Sequence, residues 1–364
     1  MRAAVYHGPL DLRIEDRPAP TAGPGEILIR VSVCGVCGTD AAEFRTGPHL
    51  YWTGDAHPVS GHSGPLVPGH ELVGRVEAIG RDVRGFREGD LVVSGAGVSC
   101  GRCRACVAGR TNLCERYWTV GLQRDGGLAE LVAVPASACV DVGPFGLTED
   151  AAGLAQPMAI AAHAIERGDP QPGEDVLVIG TGGIGGFITF AASRSGAQVI
   201  ASEADAGRRR TAIRFGAVET LVPAGPEEAP ARAVADLVFE VSGTPAGLAA
   251  AIAGVRRGGR IVVAGMHEPT AIDLRALNVD EVTLIGTVAH RCATDLPSAL
   301  RLLADRAEGW TDVAATVIPL ARVVEDGLDP LWNRTSTQIK TLIDPRIATA
   351  RPTVMSHAAA VATG

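Results

Sequence analysis

Two groups of residues in the first third of the chain have the types and spacing to hold a metal ion. Cys37, in Val36-Cys37-Gly38-Thr39-Asp40, offers sulfur; His70 and Glu71, in Gly69-His70-Glu71-Leu72-Val73-Gly74, offer nitrogen and oxygen. Zinc accepts that mixture in catalytic sites, where one position stays open to water or substrate. Further on, Cys100, Cys103 and Cys106 are followed closely by Cys114. Four thiols at this spacing fit a closed tetrahedral zinc site with a structural role, fixing a lobe of little core. In a reducing compartment a disulfide reading is weak. A nucleic-acid zinc ribbon is weak too, because the chain is acidic and the spacing is not CxxC…CxxC, although Arg102, Arg104 and Arg110 are local. Cys34 and Cys37 also form a CxxC, without a thioredoxin-like βαβ pattern around it. Cys34 closes an apolar run and reads as a packing residue, which leaves Cys37 as the ligand.

A third constellation belongs to nucleotide chemistry. The apolar run Asp175-Val176-Leu177-Val178-Ile179 enters Gly180-Thr181-Gly182-Gly183-Ile184-Gly185-Gly186, then a helix-like segment, then Gln198 to Ser202 ending at Glu203. A strand before the glycines, a helix after them and an acid about 20 residues on is the dinucleotide-binding context. Gly180, Gly182, Gly183, Ile184 and Gly185 let backbone N–H groups approach a pyrophosphate at the helix N-terminus. Glu203 is placed to accept hydrogen bonds from ribose hydroxyls, which favours NAD over NADP. Arg208, first of three consecutive arginines, could reach a phosphate and keeps NADP as the minor reading, although such a run is more often a solvated helix face.

These groups must be positioned by two kinds of element. Residues 26 to 33 alternate Ile27, Ile29, Val31 and Val33 against Arg30 and Ser32, which predicts a half-buried strand leading to Cys37. Residues 46 to 69, rich in Gly, Pro and His, form a loop on the way to His70; its Tyr51 and Trp52 either wall a pocket or pack the loop down. After an Ala-rich helical stretch at 150 to 164, strand patterns at 175–179, 198–202, 237–241, 260–264 and 282–285 alternate with helical ones, the sign of a doubly wound parallel sheet. A helix is expected over 297–306 and a closing strand over 338–343. At 364 residues two domains are the prior, and 46% hydrophobic with 20% charged residues suits a large folded core. A net charge of −8 argues against nucleic acid or an anionic membrane as partner. The start, Met1-Arg2-Ala3-Ala4-Val5-Tyr6, lacks a signal-peptide pattern, and no apolar run is long enough to span a bilayer, so the expected compartment is the cytoplasm.

In this order the three constellations resemble the zinc-dependent medium-chain dehydrogenase/reductase superfamily. The stretch from Gly69-His70-Glu71 to Gly80 is the specific part. His57-Pro58-Val59 and Phe239-Glu240-Val241-Ser242-Gly243 look closest to the 2,3-butanediol enzymes of the polyol and threonine dehydrogenase branch. The resemblance implies an α/β chain with a GroES-like β-rich catalytic domain over 1–155, its four-cysteine lobe at about 95–116, and a Rossmann domain over 156–292. A return to the catalytic domain over 293–345 would follow; beyond Pro345 the composition turns to Ala, Thr and Val with little periodicity, which predicts a flexible, frayed tail or a loosely docked arm over 346–364. The resemblance also implies a homodimer or homotetramer and an active site in the cleft between the domains.

Carried over residue by residue, Cys37, His70 and Glu71 match catalytic zinc ligands, Asp40 the acid that orients the ligand His, and Thr39 the hydroxyl that passes a proton outward. Gly180, Gly182, Gly183, Gly185 and Glu203 match the cofactor site. Two positions depart from the pattern. Gln156 stands where the branch usually carries a Glu, and is a poor zinc ligand; Ala42 stands where many relatives carry a relay His, so the proton would leave by water, a cofactor ribose hydroxyl or a group such as Glu43. The expected activity is hydride transfer between a secondary alcohol, of vicinal diol, polyol or hydroxyketone type, and NAD(H). The alternatives are a biosynthetic dehydrogenase of a sugar-like or aminocyclitol alcohol, and a nucleotide-binding protein of this fold with little catalysis.

Overall fold

Three strand ends meet where Cys37 and His70 stand, and the register explains why. In the computed structural model, which describes residues 1–223 and 234–355, strand Glu26–Val36 pairs antiparallel with strand Glu71–Ile79, Gly35 opposite Glu71. On its other side strand Thr341–Asp344 pairs antiparallel, Thr341 opposite Val36. Residues just beyond these pairs, Cys37, His70 and Lys340, therefore come together although they lie far apart in sequence. Strand Glu26–Val36 also pairs with Leu131–Pro135, at the centre of an eight-stranded sheet. The expected half-buried strand is buried on both faces. Only Arg30 is exposed along Ile27–Val36, and Ser32, predicted to face out, is covered, its carbonyl accepting from Arg346 Nη2 at 3.2 Å.

This sheet belongs to a compact unit of Met1–Ala159 and His290–Gly364; Ile160–Ala289 forms the second unit. The four-cysteine lobe of the first unit is built from scraps of regular structure: a helix Arg104–Val107, a 3-10 turn Thr111–Leu113, and the two-residue strands Gly97–Val98 and Trp118–Thr119. Val107 and Leu113 are exposed, so the lobe has little apolar interior.

Of the two expectations beyond Pro345, a frayed tail or a docked arm, residues 346–355 take the second. Strand Arg351–Pro352 pairs antiparallel with strand Thr316–Pro319. Arg351 bonds both carboxylate oxygens of buried Asp150, at 2.7 and 2.9 Å, and Val354 N–H donates to the same group at 2.7 Å. A segment without apolar periodicity is held by ion pairs instead, which a hydropathy reading overlooks. The rest of that expected tail lies outside the described residues.

In the second unit six parallel strands lie in the order Ala217–Leu221, Gln198–Ser202, Asp175–Ile179, Ala235–Glu240, Val255–Val263, Thr283–Gly286. The direction of winding reverses between Asp175–Ile179 and Ala235–Glu240, the switch point of a doubly wound sheet. Leu177, Ile179, Val238, Ala251 and Ile261 form a buried cluster between the sheet and helix Pro245–Gly254. Two late elements shift from expectation: the helix spans Cys292–Ala304 and the strand expected over 338–343 spans Thr341–Asp344. Among the described residues no helix is long and apolar enough to cross a membrane.

Candidate active site

Ligand atoms of Cys37, His70 and Glu71 lie within 4.8 Å of one another, His70 and Glu71 buried and Cys37 half-buried. Two glycines make room for them. A side chain at Gly35 would stand 2.2 Å from Glu71 Oε2, and Gly69, at φ +100°, has Cys34 Sγ and Leu128 N each 2.8 Å from where a Cβ would sit. Cys37 is the N-cap of helix Gly38–Thr46, and Asp40, in its first turn, accepts the Cys37 N–H on Oδ2 at 2.9 Å. Asp40 Oδ1 lies 3.4 Å from His70 Nδ1. The carboxylate thus stands on one side of the imidazole and leaves the other ring nitrogen for the cluster, the arrangement a metal-binding His requires. Thr39 Oγ1 is 3.7 Å from Cys37 Sγ.

The electrostatics are those of a closely packed charge cluster. Burial works against a charged ring at His70, but the Asp40 carboxylate and the Cys37 thiolate outweigh it and hold its pKa well above the ordinary imidazole value. Burial likewise opposes ionised Asp40, and His70 more than offsets it, so the carboxyl lies below its usual range. Lys340 completes the set. Its ammonium lies 2.7 Å from Glu71 Oε1 and 2.6 Å from Oε2, and donates to Val36 O at 3.0 Å. Burial lowers its pKa, and the negative charges of Glu71 and Cys37 raise it by more. Glu71 Oε2 still has no well-directed hydrogen bond among the described residues. A buried carboxylate oxygen left in that state beside Cys37 fits a site completed by a cation.

The expected alternatives at this site sort themselves out. Cys34 is fully buried with its thiol pKa pushed well up by burial, a packing residue and not a redox partner of Cys37. Tyr51 is buried and Trp52 stands partly exposed, edge-on to His57 with ring centres 4.8 Å apart. Glu43, named as a possible proton exit, is buried, and its carboxylate accepts backbone N–H groups of His49, Leu50 and Tyr51 at 2.8, 2.6 and 3.3 Å. It is a loop clamp. Gln156 is buried in the first turn of helix Ala155–Gly168, and its amide makes no hydrogen bond to a described residue.

The four sulfurs of Cys100, Cys103, Cys106 and Cys114 also lie within 4.8 Å of one another. Backbone N–H groups of Cys100 and Arg116 point at Cys114 Sγ from 3.2 and 3.3 Å. Hydrogen bonds from the backbone of Cys106 and Glu115 bring the Cys103 thiol down to about 6, the thiolate a metal needs at neutral pH. The cysteines are free thiols.

In the second unit Gly180 has φ +86°, and a Cβ at Gly185 would lie 1.8 Å from Gly180 O, so the turn into helix Gly183–Arg194 admits only glycine there. Glu203 Oε2 accepts Thr181 N–H at 2.8 Å and Oε1 accepts Asp205 N–H at 3.0 Å, which fixes the carboxylate beside the glycine turn. Arg208 Nη1 lies 3.7 Å from the position of a Cβ on Gly182, and Arg209 caps the carbonyls of Glu203 and Ala204. Ile184 sits in the first turn of that helix.

Sequence reasoning missed Lys340. It read the residue only as part of a closing strand, yet a lysine between Ile339 and Leu342 in an otherwise buried run demands a buried counter-charge. It also missed the tie between Tyr51 and Asp40 described below.

Residues 23–144 match the alcohol dehydrogenase GroES-like domain family, and residues 183–305 the zinc-binding dehydrogenase family. Sorbitol dehydrogenase of Bacillus subtilis (strain 168) is 30% identical over 315 residues, covering 84% of this chain and 86% of its own. L-threonine 3-dehydrogenase of Streptomyces coelicolor is 37% identical over 283 residues, covering 76% and 80%. The crystal structure of 2R,3R-butanediol dehydrogenase from Bacillus subtilis superposes with a TM-score of 0.85 at 28% identity, over 94% of this chain and 99% of that one.

Proposed function

Because the chain belongs to the zinc-dependent medium-chain alcohol dehydrogenase family, an oxidoreductase family acting on CH–OH groups, we propose that it oxidises a secondary alcohol bearing a neighbouring polar substituent, with NAD as hydride acceptor. The observation that carries this reading is the convergence of Cys37, His70 and Glu71 on one point. The relatives named above all act, by name, on hydroxyls flanked by a second hydroxyl or an amino group.

Cys37 and His70 would hold the catalytic zinc, with Glu71 as third donor shared with Lys340. A bound zinc lowers the pKa of an alcohol hydroxyl or polarises a carbonyl. Thr39 takes the proton released by the alcohol. Asp40 keeps the His70 ring oriented. With Ala42 apolar and the Glu43 carboxylate committed to three backbone donors, neither side chain carries the proton onward. Water or a cofactor ribose hydroxyl does so. Gln156, neutral and without a hydrogen bond among the described residues, does not replace a charged ligand and leaves that place to water. Cys100, Cys103, Cys106 and Cys114 hold a second zinc, closed and structural.

Glu203, fixed by Thr181 and Asp205, accepts the adenosine ribose hydroxyls and repels a 2′-phosphate, so NAD is preferred; Arg208 is the residue that would soften this preference. Gly180, Gly182, Gly183 and Gly185 admit the pyrophosphate. We place the protein in the cytoplasm, where free thiols persist. A homo-oligomer is proposed from strand Thr283–Gly286, which ends its sheet, and from exposed Met266, Leu274, Val279, Leu284 and Val288 in the same segment.

The test is a metal analysis joined to a substrate screen. Two zincs per chain, and NAD reduction with vicinal diols or polyols faster than with NADP, are expected. One zinc and no turnover across diols, polyols and aminocyclitols would overturn the proposal.

A further inference from the structure

Asp40 has one neighbour that a metal-site description alone does not require. Tyr51 OH donates to Asp40 Oδ1 at 2.8 Å, the same oxygen that faces His70 Nδ1. Tyr51 reaches that point from the Gly- and Pro-rich loop, not from the sheet or helix that supply Cys37, His70 and Asp40. Its position is set twice. The buried Glu43 carboxylate gathers the backbone N–H groups of His49, Leu50 and Tyr51, and Tyr6 packs edge-on against the Tyr51 ring with centres 5.0 Å apart. Tyr6 in turn donates its hydroxyl to Glu43 O at 3.0 Å. A continuous chain of contacts therefore runs from the loop backbone to the imidazole.

We propose that Tyr51 is a positioning residue for the metal ligand His70, acting through Asp40, and that Glu43 determines where Tyr51 stands. The inference rests on the reading that Cys37 and His70 hold zinc. The physical argument is one of shared occupancy. A buried carboxylate with two oxygens and one imidazole to orient has spare lone pairs, and each well-placed donor removes an orientation it could otherwise adopt. Cys37 N–H pins Oδ2 and Tyr51 O–H pins Oδ1, so the carboxylate plane is fixed relative to the ring. Partners of this kind are worth about 10- to 100-fold in metal affinity. The rival account is that Tyr51 only fills space beside Tyr6 and Leu66, with which it forms a buried cluster. A phenylalanine would fill that space equally well and lose only the hydroxyl.

Tyr51→Phe and wild-type protein, stripped of metal, are titrated with Co2+ and with Zn2+ against a chromophoric chelator. The four-cysteine lobe serves as an internal reference in the same molecule. Tyr51→Phe is expected to bind the metal of the Cys37–His70 site about tenfold more weakly, to shift the visible spectrum of Co2+ there, and to leave the lobe's affinity and the apparent Tm unchanged. Glu43→Gln, which keeps the Tyr51 ring and hydroxyl, is expected to move the same affinity in the same direction by a smaller factor. Unchanged affinity and spectrum at the Cys37–His70 site in Tyr51→Phe would overturn the inference, as would an equal loss at both sites. If the wild type takes up one metal only, in the lobe, the zinc reading itself fails and this inference with it.

Discussion

The two cysteine-bearing regions solve the same problem by opposite means. The lobe collects four donors from a short run of chain, half exposed and joined by turns, with backbone N–H groups as the main support. The Cys37–His70 cluster collects three donors from the ends of distant strands, buries His70 and Glu71, and surrounds the group with Asp40, Tyr51 and Lys340. A closed site needs only its ligands close together, and local chain geometry supplies that. A site that leaves a position open must keep its ligands oriented without a fourth side chain to complete the cage. The sheet register and the buried charges around it supply that orientation.

The largest expected effect separates the two regions outright. His70→Ala should leave one zinc per chain, in the lobe, and lower turnover by about a thousandfold or more; Cys103→Ala should leave one zinc in the other site and lower the apparent Tm instead. Metal analysis with steady-state rates checks both. The division fails if His70→Ala keeps two zincs and its rate.

Next in size is the buried ion pair, which has no counterpart in the lobe. Lys340→Met leaves Glu71 buried without a cation, at a cost of about 3–5 kcal/mol in the metal-free protein. Zinc should restore part of that loss, since it brings positive charge to the same carboxylate, and Glu71→Gln in the same chain should restore most of it. Urea titrations of wild type, Lys340→Met and the double variant, with and without zinc, measure this. A Lys340→Met loss that zinc leaves unchanged would show that the carboxylate does not face the metal.

How much of this was legible in the sequence follows the same contrast. Cys100 to Cys114 and Gly180 to Glu203 are local patterns, and their residues stand in the structure in the spatial groups their spacing suggested. Cys37 with His70 was readable only as a pairing of motifs, because the register of Gly35 on Glu71 is a property of the folded sheet. Lys340, Tyr51 and the clamp at Glu43 were not readable. Each depends on contacts across long stretches of chain that periodicity does not encode. The docked arm at 346–355 was one of two expectations, and what docks it was unreadable for a related reason: Arg351 and Asp150 form a polar anchor, and the reading weighted apolar pattern.

The smallest expected effect concerns that anchor. Arg351→Ala should lower stability by about 1–2 kcal/mol at neutral pH and leave both zincs in place. Burial opposes the charge of Asp344, and hydrogen bonds from Arg346 and Arg351 outweigh it, so its folded pKa lies below its ordinary value. The stabilisation from a depressed carboxyl is complete above the unfolded value, about 3.9, and is lost as pH falls through the folded one. That shift comes chiefly from Arg346, so it is the difference between wild type and Arg346→Ala in urea titrations that should shrink below about pH 4. A difference that persists into stronger acid would mean that Arg346 acts on Asp344 by packing and not by charge.

The central claim is that Cys37 and His70 share one metal ion. A crystal of the zinc-loaded protein, measured at the zinc absorption edge, tests it directly. The anomalous map should show two peaks per chain, one among Cys100, Cys103, Cys106 and Cys114, the other about 2.3 Å from Cys37 Sγ and about 2.1 Å from a His70 ring nitrogen. A single peak in the lobe of the zinc-loaded protein, with Cys37 and His70 turned away from each other, would contradict it.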